Sequence, residues 1–448
     1  MVDNPGGSRP LTAGDTIAAV ATAAGRGGIG IIRISGPQAS SIGAQILGRR
    51  LPGRGLYVGR FAGEHEPLDQ GVALFFPGPH SFTGEDTVEL QGHGAPVVLA
   101  LLLDRICSLG ARRARPGEFS ERAFLNGRLD LTQAEAIADL IDSSSVAAAR
   151  AAARTLRGDF SRAIEAVLAQ LLDARSLAEA AIDFADEDLP ALDPTRQHAA
   201  GIELIAALET LRLRAQAGQR LRDGLQVVLA GPPNSGKSSL LNALSRDDTA
   251  IVSPIAGTTR DVLRVALDLG GVAFEVADTA GLRDSEDPVE CEGVRRAQAA
   301  LLEADLVLWV LDDTANAPAP PPAARHWQIF NKIDRSGRVA GAQPGTEPAF
   351  AVSATTGAGM DLLRQALIEA AGGAGGHGEF SARARHLDAL ARAQTILQQG
   401  LAAYREHQAA ELWAEDLRQA QRALDEILGR VTADDLLGHI FSSFCIGK

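Results

Sequence analysis

Apolar and polar positions divide this chain into blocks of different texture. From Asp15 to about Phe124 the pattern is mixed: β-like runs at residues 30–34 and 87–90, frequent glycines, and one helical stretch over 95–109. This block predicts an α+β domain. Thr132-Gln-Ala-Glu135 has capping-box spacing and opens Ala- and Leu-rich text that keeps helical character to about Arg222. Asp193-Pro194 punctuates that text as a fresh cap with proline at the first helical position. From Leu225 short apolar strands recur between helical segments, at residues 225–230, 272–277, 306–311, 328–330 and 350–352. Such alternation predicts a doubly wound α/β domain. The Gly-rich stretch 371–378 reads as a flexible linker, and helical text resumes after it.

The fold class is therefore multidomain, α/β and α+β: an N-terminal α+β domain over 1–125, a helical domain in two parts over 126–222 and 375–448, and an inserted doubly wound P-loop domain over 223–374. Neither helical part carries a clean repeat, so the two are expected to pack on each other. The Pro/Ala run 315–324 reads as a surface loop.

Composition narrows the class. At 448 residues, 46% hydrophobic and 22% charged, the chain is globular and too long for one core. Its longest apolar runs fall far short of the roughly 20 residues a membrane-spanning helix needs, and residues 1–10 lack secretory order. No membrane association and a cytoplasmic location are expected. Cys107, Cys291 and Cys445 lie far apart and suggest neither disulfides nor a metal site. A net charge of −13 disfavours broad attraction to nucleic acid. Of the 43 basic residues only Lys237, Lys332 and Lys448 are lysine, which marks them as places where a compact point charge is needed.

Two of these lysines fall in nucleotide motifs. Gly231-Pro-Pro-Asn-Ser-Gly236-Lys237-Ser238 follows an apolar strand and opens a helix, the context of a phosphate-binding loop. Asn234, Ser235, Gly236, Lys237, Ser238 and Ser239 would wrap the phosphates, with Lys237 on the β- and γ-phosphates and the Ser238 hydroxyl on Mg²⁺. Asp278-Thr279-Ala280-Gly281 follows a second strand and brings a carboxylate toward the metal and an N–H toward the γ-phosphate. Thr258 and Thr259 beside Gly257 supply hydroxyls. Asn331-Lys332-Ile-Asp334 ends another strand, and its carboxylate can accept both N–H donors of the guanine edge; adenine would leave it unpaired. Ser353-Ala354 would complete the base pocket. This ordered set resembles the translation-factor-like GTPases.

Leu282 stands where a Ras-type enzyme carries its water-orienting glutamine, so another group must serve; the acidic run Asp284, Glu286, Asp287, Glu290 and Glu292 offers several, although on composition alone a solvated charged loop is the better account of it. Asn234 either favours the tight turn or holds a cation beside the phosphates. Arg260 competes for that role.

Asp15-Thr-Ile-Ala-Ala, Gly25-Arg-Gly-Gly-Ile-Gly, Arg33-Ile-Ser-Gly-Pro37, Ser81-Phe-Thr-Gly-Glu-Asp86, Glu89-Leu-Gln-Gly-His93, the run from Arg115 to Asn126 and the terminal Phe444-Cys445-Ile-Gly-Lys448 together resemble the MnmE (TrmE) family of tRNA modification GTPases. The resemblance covers nearly the whole chain. It implies a homodimer that joins a flavin-containing partner, MnmG, in a heterotetramer and installs a carboxymethylaminomethyl or aminomethyl group at C5 of the wobble uridine of certain tRNAs. It implies 5-formyltetrahydrofolate bound in the N-terminal dimerisation domain by Arg33, Glu89, Arg128 and Lys448. Arginines and a lysine suit the folate carboxylates, and Glu89 can accept from pterin N–H donors. Read without the resemblance, Arg33 and Glu89 are strand-face charges.

The resemblance further implies potassium held by Asn234, Ser253, Ile255 and Thr258, with Pro254, Ala256 and Gly257 in the same loop, and magnesium held by Ser238 and Thr259. It selects Glu290 to orient the hydrolytic water, and Arg260 and Asp261 to couple hydrolysis to modification. Cys445 reads as a buried apolar residue, a weak prenylation site or a reactive thiol near the folate, and the resemblance favours the last. Two other functions compete: a GTPase switch for ribosome assembly, and a folate enzyme regulated by GTP. Arg112, Arg113 and Arg115, and Arg212, Arg214, Arg220 and Arg222, are candidate basic patches.

Overall fold

The computed structural model describes residues 14–183, 194–245, 263–269, 272–278, 301, 304–315, 325–345, 348–370, 380–431, 434–444 and 446–447. The chain forms two compact units, one of residues 1–138 with 421–448 and one of residues 139–420.

In the first unit the order is β1 (Ile17–Val20), β2 (Gly27–Ser35), α1 (Ala39–Leu47), β3 (Gly55–Ala62), β4 (Pro67–Phe76), β5 (Thr87–Gly94), α2 (Pro96–Ser108), β6 (Arg112–Arg113), α3 (Glu118–Leu125) and α4 (Leu131–Ile141). The sheet runs β3-β4-β5-β2-β1-β6 and is antiparallel except between β1 and β6. Alternation sets its faces: Ile32 and Ile34 enter a core with Ile42 and Ile46 of α1 and Leu102 and Ile106 of α2. Arg33, between them, therefore faces the other side of the sheet. There Phe119 of α3 packs with Ile17 and Ala19. The C-terminal helix Asp434–Ser442 places Phe441 and Phe444 against Leu131 and Ala134.

The capping box expected at Thr132 lies two residues earlier. Asp130 Oδ1 accepts from the Gln133 amide at 2.9 Å, and Gln133 Oε1 accepts from the Asp130 amide at 3.0 Å. Thr132 and Glu135 are buried on the inner face of the helix instead. Both pairs have the required spacing, and the Asp/Gln pair wins because it leaves Leu131 and Ala134 to face the core.

In the second unit α5 (Val146–Leu156), α6 (Asp159–Asp183) and α7 (Pro194–Asp223) lead into β7 (Leu225–Ala230), α8 (Lys237–Ser245), β8 (Leu263–Leu269), β9 (Val272–Asp278), β10 (Leu306–Asp312), β11 (His326–Asn331), α9 (Ile333–Ser336), β12 (Gly341–Gln343), β13 (Ala349–Ala351) and α10 (Met360–Ala370), and α11 (Ala384–His407) follows. Pro194 does open α7; Asp193 lies outside the described residues. The sheet order is β12-β13-β11-β10-β7-β9-β8, with five parallel central strands and an antiparallel strand at each edge. Central strands buried on both faces explain why β7 and β10 read as continuous apolar runs. The helices before and after this insertion pack on each other, α7 along α11. Among the described residues no helix is long and apolar enough to cross a membrane.

Candidate functional site

The phosphate loop leaves the carboxyl end of β7 at the centre of the parallel sheet and ends in α8, the position at which doubly wound folds bind ligands. Two glycines make the turn possible. Gly231 has φ 146°, and a Cβ there would meet Val310 O at 2.1 Å; Gly236 has φ 93°, and a Cβ would meet Asn331 Nδ2 at 2.3 Å. Asn234 adopts φ 61°, a left-handed conformation that asparagine tolerates better than most residues. The turn reading of Asn234 is thus satisfied by the backbone. Lys237 Nζ donates to Gly231 O and Pro232 O, both at 3.0 Å, which folds the ammonium over the loop.

The base motif is fastened to this loop. Asn331 Nδ2 donates to Ser235 O at 3.0 Å, and Asn331 Oδ1 accepts from the Ala354 amide at 3.2 Å. Lys332, itself at φ 67°, donates from Nζ to Asn234 O and to Asp312 Oδ2, both at 2.6 Å. A compact cation with several donors serves both acceptors, which is what a flat guanidinium would do poorly. Ser353 Oγ donates to Asp334 Oδ1 at 2.6 Å and orients that carboxylate. The structure thus brings together Asn234, Ser235, Gly236, Lys237, Asn331, Lys332, Asp334, Ser353 and Ala354, with Ser238 and Ser239 opening α8. Sequence reasoning missed Asp312. Its carboxyl is held down to about 2, first by the Lys332 ammonium and then by the hydroxyl and amide of Thr314. The signal was present, since Asp312 ends an apolar strand at the same sheet edge as Asn331.

Asp278 ends β9 and pairs in register with Leu229 beside the loop. Ser253, Pro254, Ile255, Ala256, Gly257, Thr258, Thr259, Arg260, Asp261, Thr279, Ala280, Gly281, Glu290, Cys445 and Lys448 lie outside the described residues.

In the first unit Arg33 and Glu89 are register partners on β2 and β5, and Arg33 Nε donates to Glu89 Oε1 at 2.9 Å. The guanidinium also lies 5.4 Å from the ring centre of Phe82 and 5.6 Å from that of Phe119. Its Nη1 donates to Gly447 O at 3.5 Å, which brings Gly447 beside it. Arg128 packs its stem against Gly84, whose Cβ would meet Arg128 Cγ at 3.3 Å. Phe82 and Gly84 share the loop 81–86, which an ion network anchors: Arg122 donates to Glu85, Asp15 and Glu118, and Arg112 to Asp15 and Glu118. Burial alone would raise the Glu118 carboxyl, but the Arg112 guanidinium and the Arg115 amide hold it down to about 2. Phe82 and Phe119 belong to the segments 81–86 and 115–126, where the sequence assigns neither ring a role. Nothing short of the fold shows that both rings flank Arg33.

Several arginines of the two candidate basic patches form ion pairs within the chain, in keeping with ordinary surface-helix charge. Arg113 pairs with Asp104, Arg115 with Glu121, Arg212 with Glu209 and Arg222 with Asp139. Burial pushes the Cys107 thiol up, which suits an inert packing residue.

Two family models match the chain. A family model described as the N-terminus of the GTP-binding protein TrmE matches residues 16–128, and one described as the MnmE helical domain matches residues 131–445. The tRNA modification GTPase MnmE of Chromohalobacter salexigens is 52% identical over 459 residues, with 98% of this chain and 99% of that protein covered. The protein of the same name from Pseudomonas paraeruginosa is 51% identical over 454 residues, with 97% and 99% covered. Among solved structures, the G domain of the T. maritima FeoB iron transporter matches 33% of this chain and 98% of its own length at 23% identity and a TM-score of 0.25, too loose a likeness to add anything.

Proposed function

The chain belongs to the MnmE family of tRNA modification GTPases, and from that premise we propose that it hydrolyses GTP to drive modification of C5 of the wobble uridine in certain tRNAs. The four-part division into 1–125, 126–222, 223–374 and 375–448 belongs to this reading, as does a homodimer that works with the flavin-containing MnmG protein in the cytoplasm. The observation that carries it is the coincidence, in one chain, of the nucleotide site around Lys237 and Asp334 with the Arg33–Glu89 cluster beside the C-terminal segment.

The residues present fit the ligands. At the phosphate loop the Ser235 hydroxyl is buried without a hydrogen-bond partner among the described residues, a polar group that a ligand can satisfy. Lys237 would neutralise charge on the β- and γ-phosphates, Ser238 and Thr259 would hold Mg²⁺, and Asp334 would select guanine. Asn234, Ser253, Ile255 and Thr258 would hold potassium, which supplies positive charge where the transition state gathers negative charge. Glu290 would orient the attacking water, and Arg260 and Asp261 would relay the result. In the first unit a guanidinium flanked by aromatic rings suits a flat, anionic ligand such as 5-formyltetrahydrofolate, with Glu89, Arg128 and Lys448 as further contacts. Bound there, the folate would supply the one-carbon unit, and Cys445 would stand at the modification site.

The test is mass spectrometry of tRNA nucleosides from cells lacking the gene. C5-aminomethyl-type wobble uridines are expected to vanish, and to return with the wild-type gene but with neither Lys237→Ala nor Cys445→Ser. An unchanged nucleoside profile overturns the modification reading and leaves a GTPase switch. GTP hydrolysis is further expected to run about tenfold or more faster in K⁺ than in Na⁺. Equal rates in the two salts would remove the potassium assignment.

A further inference from the structure

The GTP-binding insertion is attached to the helical domain by two connections, and one carboxylate fastens both. Asp139, near the end of α4, is 6% exposed at its side chain. Its Oδ1 accepts from Arg222 Nε at 2.9 Å and from Arg383 Nη2 at 2.7 Å, and its Oδ2 accepts from Ser381 Oγ at 2.8 Å. Arg222 is the penultimate residue of α7, and β7, which leads to the phosphate loop, begins three residues later. Ser381 and Arg383 lie where the chain returns from the insertion, just before α11.

The surroundings hold the same two connections together. A Cβ at Gly218 of α7 would meet Phe380 O at 2.0 Å, so the absent side chain lets the returning segment lie flush on the helix. Arg214 lies 5.2 Å from the Phe380 ring centre, and Phe380 stacks on Phe160 at 4.5 Å. Thr155 Oγ1 accepts from the Ser381 amide at 2.8 Å. Arg222 also donates to Asp223 at 2.7 Å. A cavity of about 670 Å³ is lined in part by Arg220, Asp223, Gly224, Asp305 and Arg325, where α7 gives way to β7. Gly224, at φ 72°, is the single residue between helix and strand. The insertion thus has Gly224 as a pivot, open space beside it, and Asp139 as a clasp among the described residues.

We propose that Asp139 is a positioning residue of the GTPase cycle: by holding Arg222 of the ingoing connection and Ser381 and Arg383 of the returning one, it sets the orientation of the nucleotide-binding domain on the helical domain and carries nucleotide state between them. The inference uses only the GTP site and not the assignment of RNA or folate as substrates. It touches no group that meets nucleotide.

Hydrogen–deuterium exchange on the full-length protein, with GDP and with a non-hydrolysable GTP analogue, tests it. In the wild type, amides of residues 214–223 and 380–387 exchange at different rates in the two nucleotide states. Asp139→Asn removes the charge at nearly constant shape; it accelerates exchange in both segments about tenfold and abolishes the difference between nucleotide states, while the KM for GTP stays within about twofold. Asp139→Glu restores part of the difference. Preserved nucleotide dependence in Asp139→Asn, with or without faster exchange, overturns the proposal, because the clasp would then be structural only. So does a wild type whose segments ignore the nucleotide. Should Asp139→Asn fail to fold, Arg383→Ala removes one of the two returning donors and leaves the Arg222 contact in place: it loosens 380–387 and leaves 214–223 protected, and unchanged protection of 380–387 likewise overturns the assignment.

Discussion

The nucleotide site and the Arg33 site are built in opposite ways. The first is assembled from backbone: glycines at φ 146° and 93°, asparagine and lysine at φ 61° and 67°, and side chains that mostly bind main-chain oxygens. The second is assembled from side chains: a guanidinium, a carboxylate and two rings drawn from β2, β5, the loop 81–86 and α3. A backbone site requires particular residues at fixed spacing, because only they permit the turns. A side-chain site requires only that the fold deliver the right groups to one place. That difference predicts which substitutions change specificity and which change affinity or stability.

The largest effect is expected at Asp334. Its carboxylate, oriented by Ser353 Oγ, accepts two donors from the guanine edge, and one substitution reverses half of that pattern. Asp334→Asn accepts the N1–H and donates to a carbonyl oxygen on C2, which matches xanthine. The preference for GTP over xanthosine triphosphate is expected to fall by on the order of 10⁴-fold, read as the ratio of kcat/KM values. An unchanged ratio would mean that the base is not read by this carboxylate.

This asymmetry also decides what could be read without the fold. The elements 225–230 and 306–311 were legible because central parallel strands are apolar on both faces, and the phosphate loop because its spacing is dictated by backbone geometry. β3 and β4 were not: two of the exposed positions of β3 are the apolar Leu56 and Val58, β4 alternates little, and glycines interrupt both. At α4 two capping boxes overlapped, and only burial of Leu131 and Ala134 chooses between them. The charges at Arg33 and Glu89 were ambiguous alone, since a paired strand-face ion pair and a ligand contact look the same along the chain. Lysine scarcity was the more informative signal, and Lys332 bears it out by bridging Asn234 O and Asp312.

The ion network beneath the Arg33 site sharpens the comparison through pH. Glu118 is fully buried, and its carboxyl lies at about 2 instead of the ordinary 4.5, so its folded form is the more acidic one. Its contribution is therefore complete above pH 4.5 and is lost as the pH falls toward 2. A shift of this size corresponds to at most about 3 kcal/mol. Glu118→Gln is expected to lose most of that at pH 7 and to flatten the acid dependence of β1 and β6. Amide exchange is the proper readout, because Trp309, Trp327 and Trp413 all lie in the other unit and their fluorescence would not report it. An equal deficit at pH 7 and pH 3 would show that the carboxylate charge is not what holds these strands.

The smallest expected effect is the one that separates a side-chain site from a coincidence of charges. Arg33→Ala leaves Glu89 without its guanidinium and the Phe82 and Phe119 rings without the cation between them, yet it disturbs no main-chain turn. Folding should survive, and binding of 5-formyltetrahydrofolate, followed by titration calorimetry, is expected to weaken by about 2 kcal/mol, roughly 30-fold. Arg33→Lys keeps the charge and loses the flat contact with both rings, so it is expected to fall between the two. If Lys binds as weakly as Ala, the planar stack matters and the charge does not; if Lys binds as tightly as Arg, charge alone selects the ligand. Wild-type affinity in Arg33→Ala would return Arg33 and Glu89 to the plainer role of a cross-strand ion pair, and would leave the nucleotide site as the one part of the molecule whose chemistry its residues specify.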